Sequence, residues 1–377
     1  MIDAEVRALG RSDALTVASS TLPAEARQRC DYECDGVDDQ AQINAALLRA
    51  TRENDGLGGE GWGKVLLVGS DFSIADDNSS SILMPPTTTL EGGGFSTILE
   101  PKWSNNAIDR GCIELLNNNA AHVAVRNLTV GRHNAVTIPG HGIKFVGSGD
   151  GSTYELKTGN DPFNSIHGVA VLKTARKGIW LTGASGGSRE SQMSWCLLWN
   201  SEEECLMVDG SSDSQISNIR VNGGGTNVNA AEIGGGNTKL SDSKSYYSEG
   251  TGAGWLVSSS RCEISDCASQ DAGGWGFDFQ GTDVTATGLV ADSNSRESTA
   301  GGFRIAADGL YSGLHAFDRN QTPASRQDTA IAFSGSRQVI LTGRTSVPSG
   351  GTHVSGSPAA NSFARVVRDG ATLYSQG

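Results

Sequence analysis

The chain has 377 residues, 50 of them glycine and nine proline, with 37% hydrophobic and 19% charged residues. That balance is enough for a sizeable core and excludes a disordered or low-complexity chain. The formal net charge of −13 argues against nucleic acid or an anionic membrane as partner, because a phosphate backbone selects a basic surface.

In chain order, the amino-terminal Met1-Ile2-Asp3-Ala4-Glu5-Val6-Arg7 has neither the basic start nor the apolar stretch of a signal peptide. No run has the length needed to span a bilayer, so no membrane insertion is expected. Residues 1–29 read as an appendage, with one strand at Ala14–Ala18 and a short helical turn from Pro23 to Arg29. Asp38 or Asp39 then caps a helix over 38–50 whose apolar Ile43, Ala46 and Leu47 fall at i, i+3 and i+4. A loop of Asn, Asp and Gly leads to a strand over Gly63-Lys64-Val65-Leu66-Leu67-Val68, and Thr88-Thr89-Leu90-Glu91-Gly92-Gly93-Gly94-Phe95-Ser96-Thr97-Ile98-Leu99 forms an early coil. Further coils follow at Cys112–Leu115, His122–Leu128, Gly142–Phe145 and Gly168–Leu172. The polar stretch from Asn134 to Asn164 reads as a loop projecting from one edge.

Between Gly178 and Gly343 one pattern recurs seven times. Its first strands include Gly178-Ile179-Trp180-Leu181, Cys205-Leu206-Met207-Val208, Gly276-Phe277-Asp278-Phe279 and Gly302-Phe303-Arg304-Ile305. Equivalent small residues lie 27, 26, 23, 22, 26 and 28 positions apart. A second strand follows in each unit, as in Gln215-Ile216-Ser217-Asn218-Ile219. A period of 20 to 30 residues marks a solenoid, and alternation inside each unit makes it β. No unit buries its apolar face alone, so the coils must stack: the expected architecture is an all-β parallel β-helix of about ten coils, over 30–345. After Gly343 the pattern decays, and 346–377 is expected to cover the far end or meet another subunit.

Seven cysteines scattered over a long chain do not make a disulfide framework. Cys196, Cys205, Cys262 and Cys267 fall in apolar phase or at strand ends, as small core residues do. Cys30 and Cys34 are placed either to pair or to join a metal site, and zinc is disfavoured because no second Cys or His pair stands nearby. Asp35, Asp38 and Asp39 are explained by capping and turn formation rather than by calcium. No metal or cofactor is expected.

The run Asp35-Gly36-Val37-Asp38-Asp39, its amphipathic helix, the Gly-rich loop and the coil at Thr88–Leu99 resemble the opening of pectate-lyase-like right-handed β-helices. In that family the helix plugs the end of the stack. The likeness covers roughly residues 30–345 and implies fold, since this fold hosts lyases, hydrolases, transferases and virion proteins. Ala18-Ser19-Ser20-Thr21-Leu22-Pro23-Ala24 followed by Cys34-Asp35-Gly36-Val37-Asp38-Asp39-Gln40 further resembles β-helix proteins of tailed-phage virions. That resemblance implies a homotrimer, attachment to other virion proteins through the first segment, and a place on the virion.

Stacking puts the third residue of each first strand on one outward ladder: Lys144, Trp180, Met207, Glu232, Leu256, Asp278, Arg304 and Ala332. Neighbours on it are about 4.8 Å apart, so Glu232 and Asp278, two coils apart, are roughly 9.6 Å apart at the backbone. That approaches the carboxyl separation of an inverting glycosidase. Arg304 would hold Asp278 ionised as base, leaving Glu232 as acid. Trp180 and Trp275 are candidates for stacking on sugar rings, and Tyr246, Tyr247, Glu249 and Asp271 for lining one end of a groove. The simpler alternative is a mixed polar wall with an Asp–Arg surface pair. Gly140-His141-Gly142 matches a fragment of the polygalacturonase signature, but its companion motifs are missing and His141 reads as a turn residue. Glu202-Glu203-Glu204 reads as a solvated turn, and Asn117, Asn118 and Asn119, with other turn asparagines, as ladder formers.

Two functions follow. One is a phage tail-spike, minor-tail or capsid-surface protein presenting a β-helix to host cell-surface polysaccharide. The other is a polysaccharide depolymerase, either a glycoside hydrolase or a lyase.

Overall fold

The computed structural model describes residues 14–55, 63–116, 122–132, 137–147, 164–183, 190–319, 327–335, 337–346, 351–368 and 371–377. The chain winds as a right-handed parallel β-solenoid of about ten turns, as expected. Asn117, Asn118 and Asn119 lie outside the described residues, as do 134–136 and 148–163 of the stretch expected to project between Asn134 and Asn164; within that stretch His141–Gly147 is a strand of the stack and not part of a loop.

Most coils contain three strands rather than two, and in the last coils the first two run together as Gly309–Phe317 and Val339–Ser346. In one coil the three are Gln215–Ser217, Arg220–Asn222 and Ala231–Gly234. Each pairs in parallel with its counterpart in the next coil: Gln215 with Lys239, Arg220 with Lys244 and Ala231 with Trp255. The extra strand arises at a corner where one residue adopts positive φ: Asn127 (52°), Trp195 (57°), Asn218 (54°), Asp242 (52°) and Asp266 (52°). Asn and Asp tolerate this left-handed conformation because their short polar side chains bond locally. The apolar phase survives the corner, with Ile216, Ile219 and Val221 all buried, so the bend is silent in the hydrophobic pattern.

The core runs the length of the stack. Its middle is aliphatic, with Ile179, Leu206, Val208 and Ile233 fully buried. Towards the carboxyl end it becomes aromatic: Phe277 stacks on Phe303 with centroids 5.3 Å apart, and Phe279 meets Tyr311 edge-on at 5.3 Å. All seven cysteines are unbonded, including Cys30 and Cys34, and Cys196, Cys205, Cys262 and Cys267 are buried.

The helix at Asp39–Asp55 plugs the amino-terminal end. Ile43, Ala46 and Leu47 are fully buried in the common core. Asp39 ties the helix start to its surroundings, its carboxylate accepting from the backbone N–H groups of Gly36 (2.7 Å) and Ser73 (2.7 Å), both outside the helix, rather than from the helix's own first turn as a cap would. Before it, Ala14–Ala18 pairs in parallel with Gly63–Val68 and with Tyr32–Glu33, so the sheet already includes part of 1–29. At the far end Phe363–Arg368 adds in parallel to Val339–Ser346, and Ala371–Gln376 folds back on it antiparallel. The pattern therefore continues beyond the decay seen in the sequence at Gly343.

Candidate functional site

The outward ladder forms as expected, through consecutive parallel registers joining Lys144, Trp180, Met207, Glu232, Leu256, Asp278, Arg304 and Ala332. Leu256 separates Glu232 from Asp278. Arg304 grips Asp278 with two bonds, Nε to Oδ1 (2.6 Å) and Nη2 to Oδ2 (2.6 Å). Gln280 Nε2 donates to Oδ2 as well (2.8 Å), so both oxygens are engaged and Asp278 is only 6% exposed. Glu232 differs. Burial pushes its carboxyl above the usual range; the Ser258 hydroxyl at 3.2 Å opposes this, while the charges of Glu204 and Asp209 reinforce it. One carboxyl is thus clamped and the other is biased towards its protonated form.

Trp180 stands on the same ladder, but cations cover its ring: Lys144 Nζ lies 4.9 Å and Lys177 Nζ 5.1 Å from the centroid. His141 packs beside it at 5.1 Å. These cations belong to a network in which Asp109 binds Lys144 (2.9 Å) and Arg176 (3.4 Å), and Glu203 binds Arg176 (3.1 Å) and Lys177 (2.7 Å). The turn at Glu202–Glu204 is therefore partly an ion-pair hub, with only Glu202 exposed.

His141 is fully buried. Its Nε2 lies 3.0 Å from Asp109 Oδ1, and its Nδ1 accepts from the Lys177 N–H at 3.1 Å. Burial lowers its pKa to about 4, against the pull of Asp109. The unfolded chain therefore takes up this proton first, and the stability present above the ordinary histidine range is lost as pH falls towards the folded value. This group alone should remove about 2 kcal/mol between roughly pH 7 and pH 5. Denaturant titrations across that range should show the slope flattened in His141→Asn.

A concavity lies on the edge between the short middle strands and the outward ladder. It holds about 660 Å³ and is lined by Trp199, Asn200, Ser201, Glu202, Asn222, Gly223, Gly224, Gly225, Thr226, Tyr247 and Glu249. Backbone forms its floor, and a Cβ at Gly225 would run into the Glu202 carbonyl oxygen. Tyr247 is 43% exposed and stacks on Tyr246, with centroids 6.4 Å apart. Thr226 Oγ1 donates to Glu249 Oε2 at 3.2 Å.

Of the six residues expected to contact sugar, Tyr247 and Glu249 line this groove and Tyr246 supports it from behind. Lys244 Nζ covers the Tyr246 ring at 4.5 Å and Arg220 reaches its hydroxyl at 3.1 Å. Asp271 is buried and paired with Arg319 at 2.8 Å. Trp275 is half-buried and, like Trp180, does not line the groove. Trp199, Glu202, Asn222 and the Gly223-Gly224-Gly225 floor were not anticipated. Three consecutive glycines after a strand end were the available signal. Among the described residues, no cluster of three or more His, Cys, Asp or Glu is placed to hold a metal, and no helix is long and apolar enough to cross a membrane.

No family model matches the chain, and no curated protein matches it. Among solved structures, it is similar to the enzymatically active domain of tailspike protein 2 from bacteriophage CBA120 (TM-score 0.69, 15% identity, 88% of this chain and 50% of that one). It is also similar to the full-length tailspike protein 2 of an Escherichia coli bacteriophage (TM-score 0.65, 16% identity, 81% of this chain and 40% of that one). A third similar structure is DFA-IIIase from Arthrobacter chlorophenolicus without its lid (TM-score 0.61, 12% identity, 92% of this chain and 94% of that one). At these identities the likeness is one of fold, and the chain spans half or less of these two tailspike structures.

Proposed function

We propose that this chain is the β-helix of a phage tail-associated protein that presents a binding surface for host cell-surface glycans. The groove at the solenoid edge carries this reading: the exposed ring of Tyr247 and the indole of Trp199 stand among amide, hydroxyl and carboxylate side chains. Aromatic faces supply the apolar contact for a sugar ring, and short polar side chains meet its hydroxyls. Host lipopolysaccharide or capsule captured by the purified chain, and lost in Tyr247→Ala, is the expected result; equal capture by the variant would sink the proposal. Self-association belongs to the same reading, because Leu310, Ile340 and Phe363 are exposed and in register on one wall. Light scattering should report a homo-oligomer, a trimer on the virion resemblance, and a stable monomer would count against this.

A second reading, hydrolysis of the bound glycan, draws on Glu232. Its raised carboxyl suits a general acid, and Asp278 stands at a spacing that leaves room for water. Arg304 and Gln280 must release one Asp278 oxygen before it can act as base. New reducing ends that vanish in Glu232→Gln and persist in Tyr246→Phe are the expected signature. Undiminished product formation in Glu232→Gln would remove this residue from the chemistry.

A further inference from the structure

The groove's lining carries charge of one sign. Glu202 and Glu249 are both exposed at it, while no Lys, Arg or His is among the described residues that line it. Arg176 and Lys177 bind Glu203, and Arg296 lies over the Tyr247 ring at 5.3 Å, so one guanidinium stands beside the two carboxylates. An acidic sugar entering here would set its carboxylate against two others with a single guanidinium to offset them, whereas the hydroxyls of an uncharged sugar find acceptors in both glutamates and in Asn200 and Asn222.

Tyr247 adds a backbone observation, shared outside the groove by Trp195, which is 62% exposed at φ 57°. The tyrosine occupies a corner position with φ 52°, in a series otherwise held by Lys173 (55°), Asn200 (54°), Gly223 (85°), Asp271 (55°) and Ser293 (53°). An aromatic residue is poorly suited to left-handed backbone, and this one leaves much of its ring in solvent. Within the fold the ring meets Tyr246 and the Arg296 guanidinium, and a ligand in the groove would cover more of it.

We infer that the groove is a subsite for an uncharged pyranose and discriminates against uronic, sialic and phosphorylated sugars. This rests on the glycan-binding reading above and adds the class of glycan. The test applies the full chain to immobilised neutral polysaccharides (dextran, mannan, neutral O-antigens) and acidic ones (alginate, polysialic acid, colanic acid), at low and high salt. Binding confined to neutral members and insensitive to salt is expected. Tyr247→Asn and Glu249→Gln should each weaken it at least about tenfold, one decade in affinity being 1.4 kcal/mol. Tyr247→Asn should keep or raise the thermal midpoint, because asparagine suits the corner, so lost binding would not reflect lost folding. The double variant Glu202→Gln/Glu249→Gln should admit acidic members. Tight binding to acidic polysaccharide by the unaltered chain, weakened by Tyr247→Asn, overturns the inference and leaves glycan binding standing. Binding of neutral members that none of these variants alters also overturns it. Binding to no member of either class overturns both.

Discussion

Replacing Phe303 with alanine should lower unfolding free energy by about 3–5 kcal/mol, the largest single effect expected in the molecule. The ring is fully buried and stacks on Phe277, which lies 6.1 Å from Phe279, which in turn meets Tyr311. Removing it opens a cavity between coils whose backbones are fixed at strand spacing and cannot close over the gap. Phe303→Leu, which keeps most of the volume, should cost about 1–2 kcal/mol. Equilibrium denaturation reads both, and an alanine cost below about 1 kcal/mol would mean that the carboxyl-terminal coils do not share a closed core.

Arg304→Gln should cost about 3 kcal/mol, more than an exposed ion pair can account for. The asymmetry of the pair decides this: the Asp278 side chain is 9% exposed and that of Arg304 33%. Losing the guanidinium leaves a nearly buried carboxylate with Gln280 as its remaining side-chain donor. Removing both charges together, in Asp278→Leu with Arg304→Met, should recover most of the loss. If the single variant behaves like a surface pair, within about 1 kcal/mol of the parent, the pair is solvated in solution and the clamp on Asp278 is absent.

Much of this was readable in advance because burial imposes a period. The small-apolar-x-apolar units gave the outward ladder residue by residue, and the neighbours of Glu232 and Asp278 are those that stacking required. The middle strand was hidden for a physical reason: a left-handed Asn or Asp bends the backbone without disturbing which side chains face inward, so hydrophobicity carries no mark of the corner. The groove was half visible. Tyr247 and Glu249 announce themselves as an aromatic and an acid on a turn, whereas Trp199 and Glu202 come from the preceding coils and meet them only through stacking. The coverage of Trp180 by Lys144 and Lys177 was equally beyond reach, since long side chains choose partners by three-dimensional proximity and not by phase.

The three-cornered winding also makes the molecule a lattice with one translational repeat. Excising residues 215–238 would bring Gln192–Ser194 opposite Lys239–Ser241, a partnership of the same kind each strand already has with its neighbour. The chain could in this way shed or acquire whole turns, shifting its length in steps of one strand spacing while both ends stay as they are. That particular excision would erase Asn222, Gly223, Gly224, Gly225 and Thr226, and the recess with them. Reach and recognition are thus separable in this architecture, one set by how many turns are present and the other by which turns they are.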